Sequence, residues 1–251
     1  ENQMNAIALN SSVVNAARVL GPALAGLLVA VIGEGWCFFL NGVSFLGVIA
    51  GLLAMRGLPA PPERPAQSPL RHVAEGFRFV LTRAPLRVLI LLLGTVSLCG
   101  MPYVVLMPVF ADHVLGGGAR EFGILMASAG FGALSAALTL ANRRELKGLL
   151  ARWTMPGSVG FGAALIAFSW SRNILLSCVL LCLAGFTMMM QTASTNTLLQ
   201  AMSPNALRGR TMAVYAMMFM GLAPVGSLIA GLVAERIGVP ATLTAGGAIC
   251  M

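Results

Sequence analysis

The chain has 251 residues, 58% of them apolar and only 10% charged, with a formal net charge of +8. A soluble domain needs about a quarter of its residues charged to cover its surface, so this composition excludes one and points to a protein embedded in lipid. The positive charge does not imply nucleic acid, because that reading needs a basic face on a soluble domain, whereas here Arg and Lys lie in short connections between long apolar runs.

A helix needs about 20 mostly apolar residues to cross a hydrocarbon core of roughly 30 Å. Seven runs meet this test, at about 13–32, 35–55, 88–110, 121–141, 153–170, 173–201 and 211–234. An eighth begins at Val239 and is cut off at Met251. Runs such as SCVLLCLAG lack the apolar–polar alternation of β-barrel spans. The expected fold class is all-α, a polytopic transmembrane helical bundle of about seven complete spans plus a truncated eighth.

The first span has a polar face of Ser11, Asn15, Arg18 and Pro22. Arg18, near one end, either snorkels to the interface or forms a gate contact. Pro22 removes one backbone hydrogen bond and bends the helix, while Gly21 and Gly26 let a neighbour approach closely. A kink that serves motion and one that only shapes the bundle are both open. The connection after the second span opens with LPAPPERPAQSP (58–69), which reads as a semi-rigid linker. Ser68 and Pro69 then look like an N-cap followed by proline at the first helical position. Leu70, Val73, Phe77 and Leu81 form an apolar stripe, as in a short helix lying on the inner membrane face. A docking site for a soluble partner is the alternative.

In the third span Pro102 and Tyr103 sit near the middle; Tyr103 is either a cavity ligand or a packed aromatic. The sixth span places Thr187, Gln191, Ser194 and Thr195 on one face, with Asn196 and Met188–Met190 nearby. Gln191 cannot face lipid, so it lines a water-filled cavity or bonds to a neighbouring helix. The seventh span carries Pro224 and follows Arg208-Gly209-Arg210, a phosphate-facing anchor.

Thirteen of the 16 basic residues fall on alternate connections or at the entrance of the first span, and only Arg120, Arg172 and Arg236 fall on the other side. The positive-inside rule puts the rich side in the cytoplasm. No span has a carboxylate in its central third: Glu34, Asp112, Glu121 and Glu235 lie at the outward edges, and Glu63, Glu75 and Glu145 in the basic connections. Since intramembrane acids are the usual proton carriers, an acid serving proton-driven transport is expected outside this chain. The five cysteines, Cys37, Cys99, Cys178, Cys182 and Cys250, have no His or carboxylate at ligand spacing, so no metal or cofactor is expected. Nor is there a constellation of side chains for an enzyme's active site.

GPALAGLLVAVIG (21–33) and GSLIAGLVAERIG (226–238) match at six positions, all displaced by 205 residues. Shared Gly/Ala/Leu composition would supply some identities, but three glycines stay in register. A displacement of six spans suits two six-helix halves related by a parallel repeat. On that register, 1–55 are the last two helices of an N-terminal half whose first four are absent, 56–87 the cytoplasmic linker, and 88–251 the C-terminal half with its last helix truncated.

NAIALNSSVVNAARVLGPALAG (5–26), CFFLNGVSFL (37–46), HVAEGFRFVLTRAPLRVLI (72–90) and LRGRTMAVYAMMFMGLAPVGSLIAG (207–231) resemble the major facilitator superfamily. Within it they are most similar to bacterial drug and siderophore exporters of the enterobactin-exporter type. The resemblance implies proton-coupled efflux of amphipathic small molecules by alternating access, from a monomer in the bacterial inner membrane. It also implies a cavity lined by the third and sixth spans, hence by Tyr103, Thr187, Gln191, Ser194 and Thr195, and gating at Arg18, Gly21, Pro22, Gly26 and Pro224. The connection ANRRELKGLLARW (141–153) keeps basic residues but lacks the family's Gly-x-x-x-Asp/Arg pattern, and is expected to be a charged anchor. A lipid or lysolipid carrier on the same fold and a non-transporting scaffold are the alternatives.

Overall fold

The computed structural model describes residues 34–54, 69–141 and 146–251. Arg18, Gly21, Pro22 and Gly26, the first copy of the repeat and most of the Pro-rich stretch lie outside the described residues. Residues 1–68 and 69–251 are separate compact units. In the first, α1 (Glu34–Ala54) is a 21-residue helix, long enough at 1.5 Å per residue for a core of roughly 30 Å. Its one hydroxyl is satisfied within the helix, Ser44 donating to the Asn41 carbonyl at 2.7 Å.

The second unit runs α2 (Pro69–Thr82), α3 (Ala84–Thr95), a π turn π1 (Val96–Gly100), α4 (Tyr103–His113), α5 (Ala119–Ala141), α6 (Leu146–Trp170), α7 (Ile174–Met202), α8 (Asn205–Ala216), a second π turn π2 (Met217–Gly221), α9 (Leu222–Ile237) and α10 (Val239–Ile249). Among the described residues five stretches are long and apolar enough to cross a membrane: 35–54, 84–113, 119–140, 174–202 and 207–237. The expected break between the fifth and sixth apolar runs is found at 171–173. Helix α6 starts at Leu146, well before its apolar run, so much of the connection expected at 141–153 is helical. Leu, Lys and Arg are good helix formers whatever their hydropathy.

Helix α7 is central, packed between α5 and α6, while α10 lies on α6, α9 on π1 and α2 on α8. Between apolar helices in lipid there is little hydrophobic drive, so close contact of small residues has to supply the attraction. The α5–α7 seam does this reciprocally: a Cβ on Gly132 would run into the Cys182 carbonyl, and one on Gly185 into the Ala129 carbonyl. The main core fills in around it with Phe110 against Phe168, ring centroids 4.4 Å apart, together with Leu125, Leu165 and Leu181.

Helix α2 does not present its whole stripe as the spacing suggests. Val80 is fully buried against Leu86, Ile90, Leu199 and Val214, whereas Leu81 is exposed. The buried side turns toward Gly76, whose position lets the Arg210 carbonyl of α8 come close. An Arg210 guanidinium–Glu75 carboxylate pair fixes the same contact. The amphipathic helix is thereby docked on the end of its own bundle.

Each π turn precedes a proline. Pro102 has no N–H for the Leu98 carbonyl, and Pro224 none for the Met220 carbonyl, and both carbonyls lie inside π segments. Losing a donor at that position opens the helical ladder; the Met101 amide reaches back five residues to Val96, at 2.9 Å. Gly226, the first glycine of the repeat's second copy, packs its backbone on the Leu98 carbonyl. Gly238, its last, ends α9 with φ +83°, a conformation glycine adopts without steric cost.

Candidate functional site

Helix α7 starts cleanly because the Asn173 side chain accepts from the Leu175 and Leu176 amides, at 2.9 and 3.4 Å. Further along, its polar residues collect on one buried side: Gln191, Ser194 and Thr195 have no exposed surface and Thr187 almost none. The Thr187 hydroxyl donates back to the Leu183 carbonyl at 2.8 Å, the usual way a threonine is satisfied within a helix. The Gln191 side-chain amide donates to Thr195 Oγ1 at 3.4 Å, a long bond. Among the described residues, Gln191 Oε1 and Ser194 Oγ have no hydrogen-bond partner.

This side of α7 faces α6 where α6 is smallest. A Cβ on Gly157 would lie 2.9 Å from the Gln191 Cβ and 3.1 Å from the Thr187 carbonyl, and one on Gly160 would lie 2.8 Å from Thr187 Cγ2. Thr187 and Gln191 thus fit against a glycine-lined strip. Tyr103 is buried in the main core and meets Phe161 of α6 edge-on, with centroids 6.1 Å apart. Phe161 is one turn beyond Gly157, so Tyr103 and Gln191 pack on successive turns of one neighbouring helix. An unsatisfied buried polar atom costs roughly 1–3 kcal/mol, and such atoms in native proteins call for an explanation.

Other polar groups were less legible in advance. Gln200 donates to Asn196 Oδ1 at 2.7 Å on the exposed side of α7. The buried Ser97 hydroxyl of π1 donates to the Phe219 carbonyl of π2 at 2.6 Å, joining the two π turns. Their sequence signals are Pro102 and Pro224; Pro224, expected as a kink, sits in the first turn of α9, directly after π2. Among the described residues no group of three or more His, Cys, Asp or Glu is placed to hold a metal.

The whole chain, residues 1–251, matches the family model described as transmembrane secretion effector. Over 218 residues it is 34% identical to the enterobactin exporter EntS of Shigella boydii serotype 18, covering 84% of this chain and 50% of that protein. It is 33% identical over the same length to the enterobactin exporter EntS of Escherichia coli O1:K1, with the same coverage. The chain spans half the length of these relatives. Its all-helical architecture, apolar spans and whole-length match agree: the chain belongs to the transmembrane secretion effector family of major facilitator membrane proteins, a family of transporters rather than enzymes.

Proposed function

We propose that the protein is an exporter of amphipathic small molecules, siderophores or drugs among them, and that this chain supplies the half carrying α2 to α10. The similarity to proteins named enterobactin exporters, 34% over most of this chain, carries the reading. The bundle works by alternating access in the bacterial inner membrane, as a monomer, with its arginine-rich connections in the cytoplasm. Gln191, Ser194, Thr187, Thr195 and Tyr103 contribute to the substrate path. What supports their role is that Gln191 Oε1 and Ser194 Oγ have no partner among the described residues in this conformation: a state in which α6 and α7 part would give both atoms a polar ligand or water. Gating at Arg18, Gly21, Pro22 and Gly26 is part of the same proposal, with Pro224 and its π turn the counterpart in the described half.

Export is proton-coupled, and the acid that carries the proton belongs to the other half of the full-length protein. Among the described residues the acids stand at helix ends or outside the spans: Glu75 pairs with Arg210, Asp112 lies 3.8 Å from His113, Glu121 is in the first turn of α5 and Glu235 near the end of α9. The test is accumulation of a catecholate siderophore and of a fluorescent drug in cells lacking the complete gene, with and without a protonophore. Retention of either compound, reversed by the intact gene and mimicked by the protonophore, is the expected result. Unchanged secretion of both compounds would overturn export, and secretion insensitive to the protonophore would overturn proton coupling.

A further inference from the structure

Two of the three basic residues on the arginine-poor side of the spans, Arg120 and Arg172, line one cavity. The connections α4–α5 and α6–α7 border an open cleft of about 550 Å³ whose lining includes Arg120, Glu121, Arg172 and Asn173, beside Ile124 and Ile174. Its other polar side chains are already committed. Glu121 turns its carboxylate back to accept the Gly118 amide at 2.7 Å, and Asn173 is occupied in capping α7. Both side chains thus serve their own helix starts, and the helix starts do not make the site. Asp112, the other acid at this end, lies 3.8 Å from His113. Neither Arg120 nor Arg172 has an acid within salt-bridge distance among the described residues. With two exposed arginines and one carboxylate in its lining, the cavity is net positive.

We propose that this cavity binds an oxyanion, a phosphate or carboxylate group, held by the Arg120 and Arg172 guanidiniums, with the ligand's apolar part against Ile124 and Ile174. Arginine suits the task because its planar donors match such groups two at a time, and it stays charged at any working pH. Apart from Arg236, the chain keeps its other basic residues on the opposite side of the spans, so a pair of arginines lining one cavity here is not explained by membrane orientation. The same chemistry fits a phospholipid headgroup of the adjacent leaflet and a soluble anion arriving from the aqueous side. The site is independent of the transport reading, because it is tested by binding.

The experiment uses the full-length protein in phosphatidylcholine nanodiscs. One arm titrates inorganic phosphate at constant ionic strength; the other replaces part of the phosphatidylcholine with phosphatidylglycerol, without phosphate. Melting temperature is read for wild type, R120Q/R172Q and R236Q, the last removing a charge from the same side but outside the cavity. A rise of about 2–4 °C is expected in wild type and R236Q, and less than half of it in R120Q/R172Q. A response to phosphate identifies a soluble anion, and one to phosphatidylglycerol a headgroup; either supports the site. No response in either arm, an undiminished one in R120Q/R172Q, or an equal loss in R236Q overturns it. If R120Q/R172Q does not purify folded, R120K and R172K keep the charge without the planar fork. Apparent affinity should then fall roughly 3–10-fold for each, and wild-type affinity in both would overturn the proposal.

Discussion

Substituting Ala for Gly132 tests the α5–α7 seam directly. A methyl there would lie 2.6 Å from the Cys182 carbonyl carbon and 2.9 Å from its Cα, and closer still to the carbonyl oxygen. Carbon atoms settle at about 3.5–4.0 Å, so the two helices must separate by roughly 1 Å along this contact. A gap of that size forfeits between a quarter and a half of each dispersion well it crosses. The cost is shared, because the reciprocal contact of Gly185 with Ala129 lies one turn away on the same seam. Overpacking typically costs 1–3 kcal/mol, and two coupled contacts place G132A near the upper end, at about 2–3 kcal/mol. Gly130, two residues away on α5, has no atom of another described element within 4 Å of an added Cβ. G130A should be neutral or mildly stabilising, since glycine costs a helix about 1 kcal/mol relative to alanine. Denaturation of the purified full-length protein in mild detergent reads both. Equal destabilisation by the two substitutions, or a G132A variant as stable as wild type, would refute the backbone-to-backbone seam.

Three further outcomes follow from the polar groups. Gln191→Leu removes a buried oxygen that has no partner among the described residues, so stability should hold or rise by about 1–2 kcal/mol while efflux drops about tenfold; a parallel loss of both in melting and efflux assays would make the amide structural. Ser97→Ala breaks the link to the Phe219 carbonyl and should cost about 0.6–1.7 kcal/mol, measured by the same denaturation; wild-type stability would deny the link between the π turns. For the Glu75–Arg210 pair, whose side chains are about a third exposed, a double-mutant cycle with E75Q and R210Q should give a coupling of about 0.5–1 kcal/mol that shrinks with added salt. Zero coupling at low salt would mean that apolar packing, with Gly76 and Val80 at its centre, holds α2 in place without this pair.

The spans were legible because a membrane leaves a long, simple signal: uninterrupted apolar residues closed by charge or by a short polar break such as Ser171–Asn173. The start of α6 was not, since Arg152 and Lys147 hide helical backbone from any reading based on hydropathy. The docking face of α2 was misjudged by one position, because a count of large apolar residues passes over Gly76, where α8 comes closest. Gln191 was recognisable as a residue that cannot face lipid, yet which neighbour it faces depends on Gly157 and Gly160, small residues on another helix whose register the sequence does not carry. Pro102 and Pro224 marked places where the backbone ladder is interrupted. That both interruptions are π turns, joined through Ser97, depends on how two distant spans lie side by side.

A π turn closes with one residue more than an α turn, so the helix beyond it is rotated by roughly 100° relative to an unbroken one. In the span 84–113 that rotation falls where the packing partners change. Leu86, Leu89, Ile90 and Leu93 belong to the cluster shared with α2 and α8, whereas Tyr103, Leu106, Met107 and Phe110 belong to the main core. The extra residue acts as a phase shifter, and it lets the two ends of one helix be optimised separately against two different sets of neighbours. Deleting one residue between 96 and 100 would swing Tyr103 away from Phe161 while leaving Leu86 to Leu93 in place. For the same reason, a residue's role can be carried between members of this family across that point only if they share the insertion.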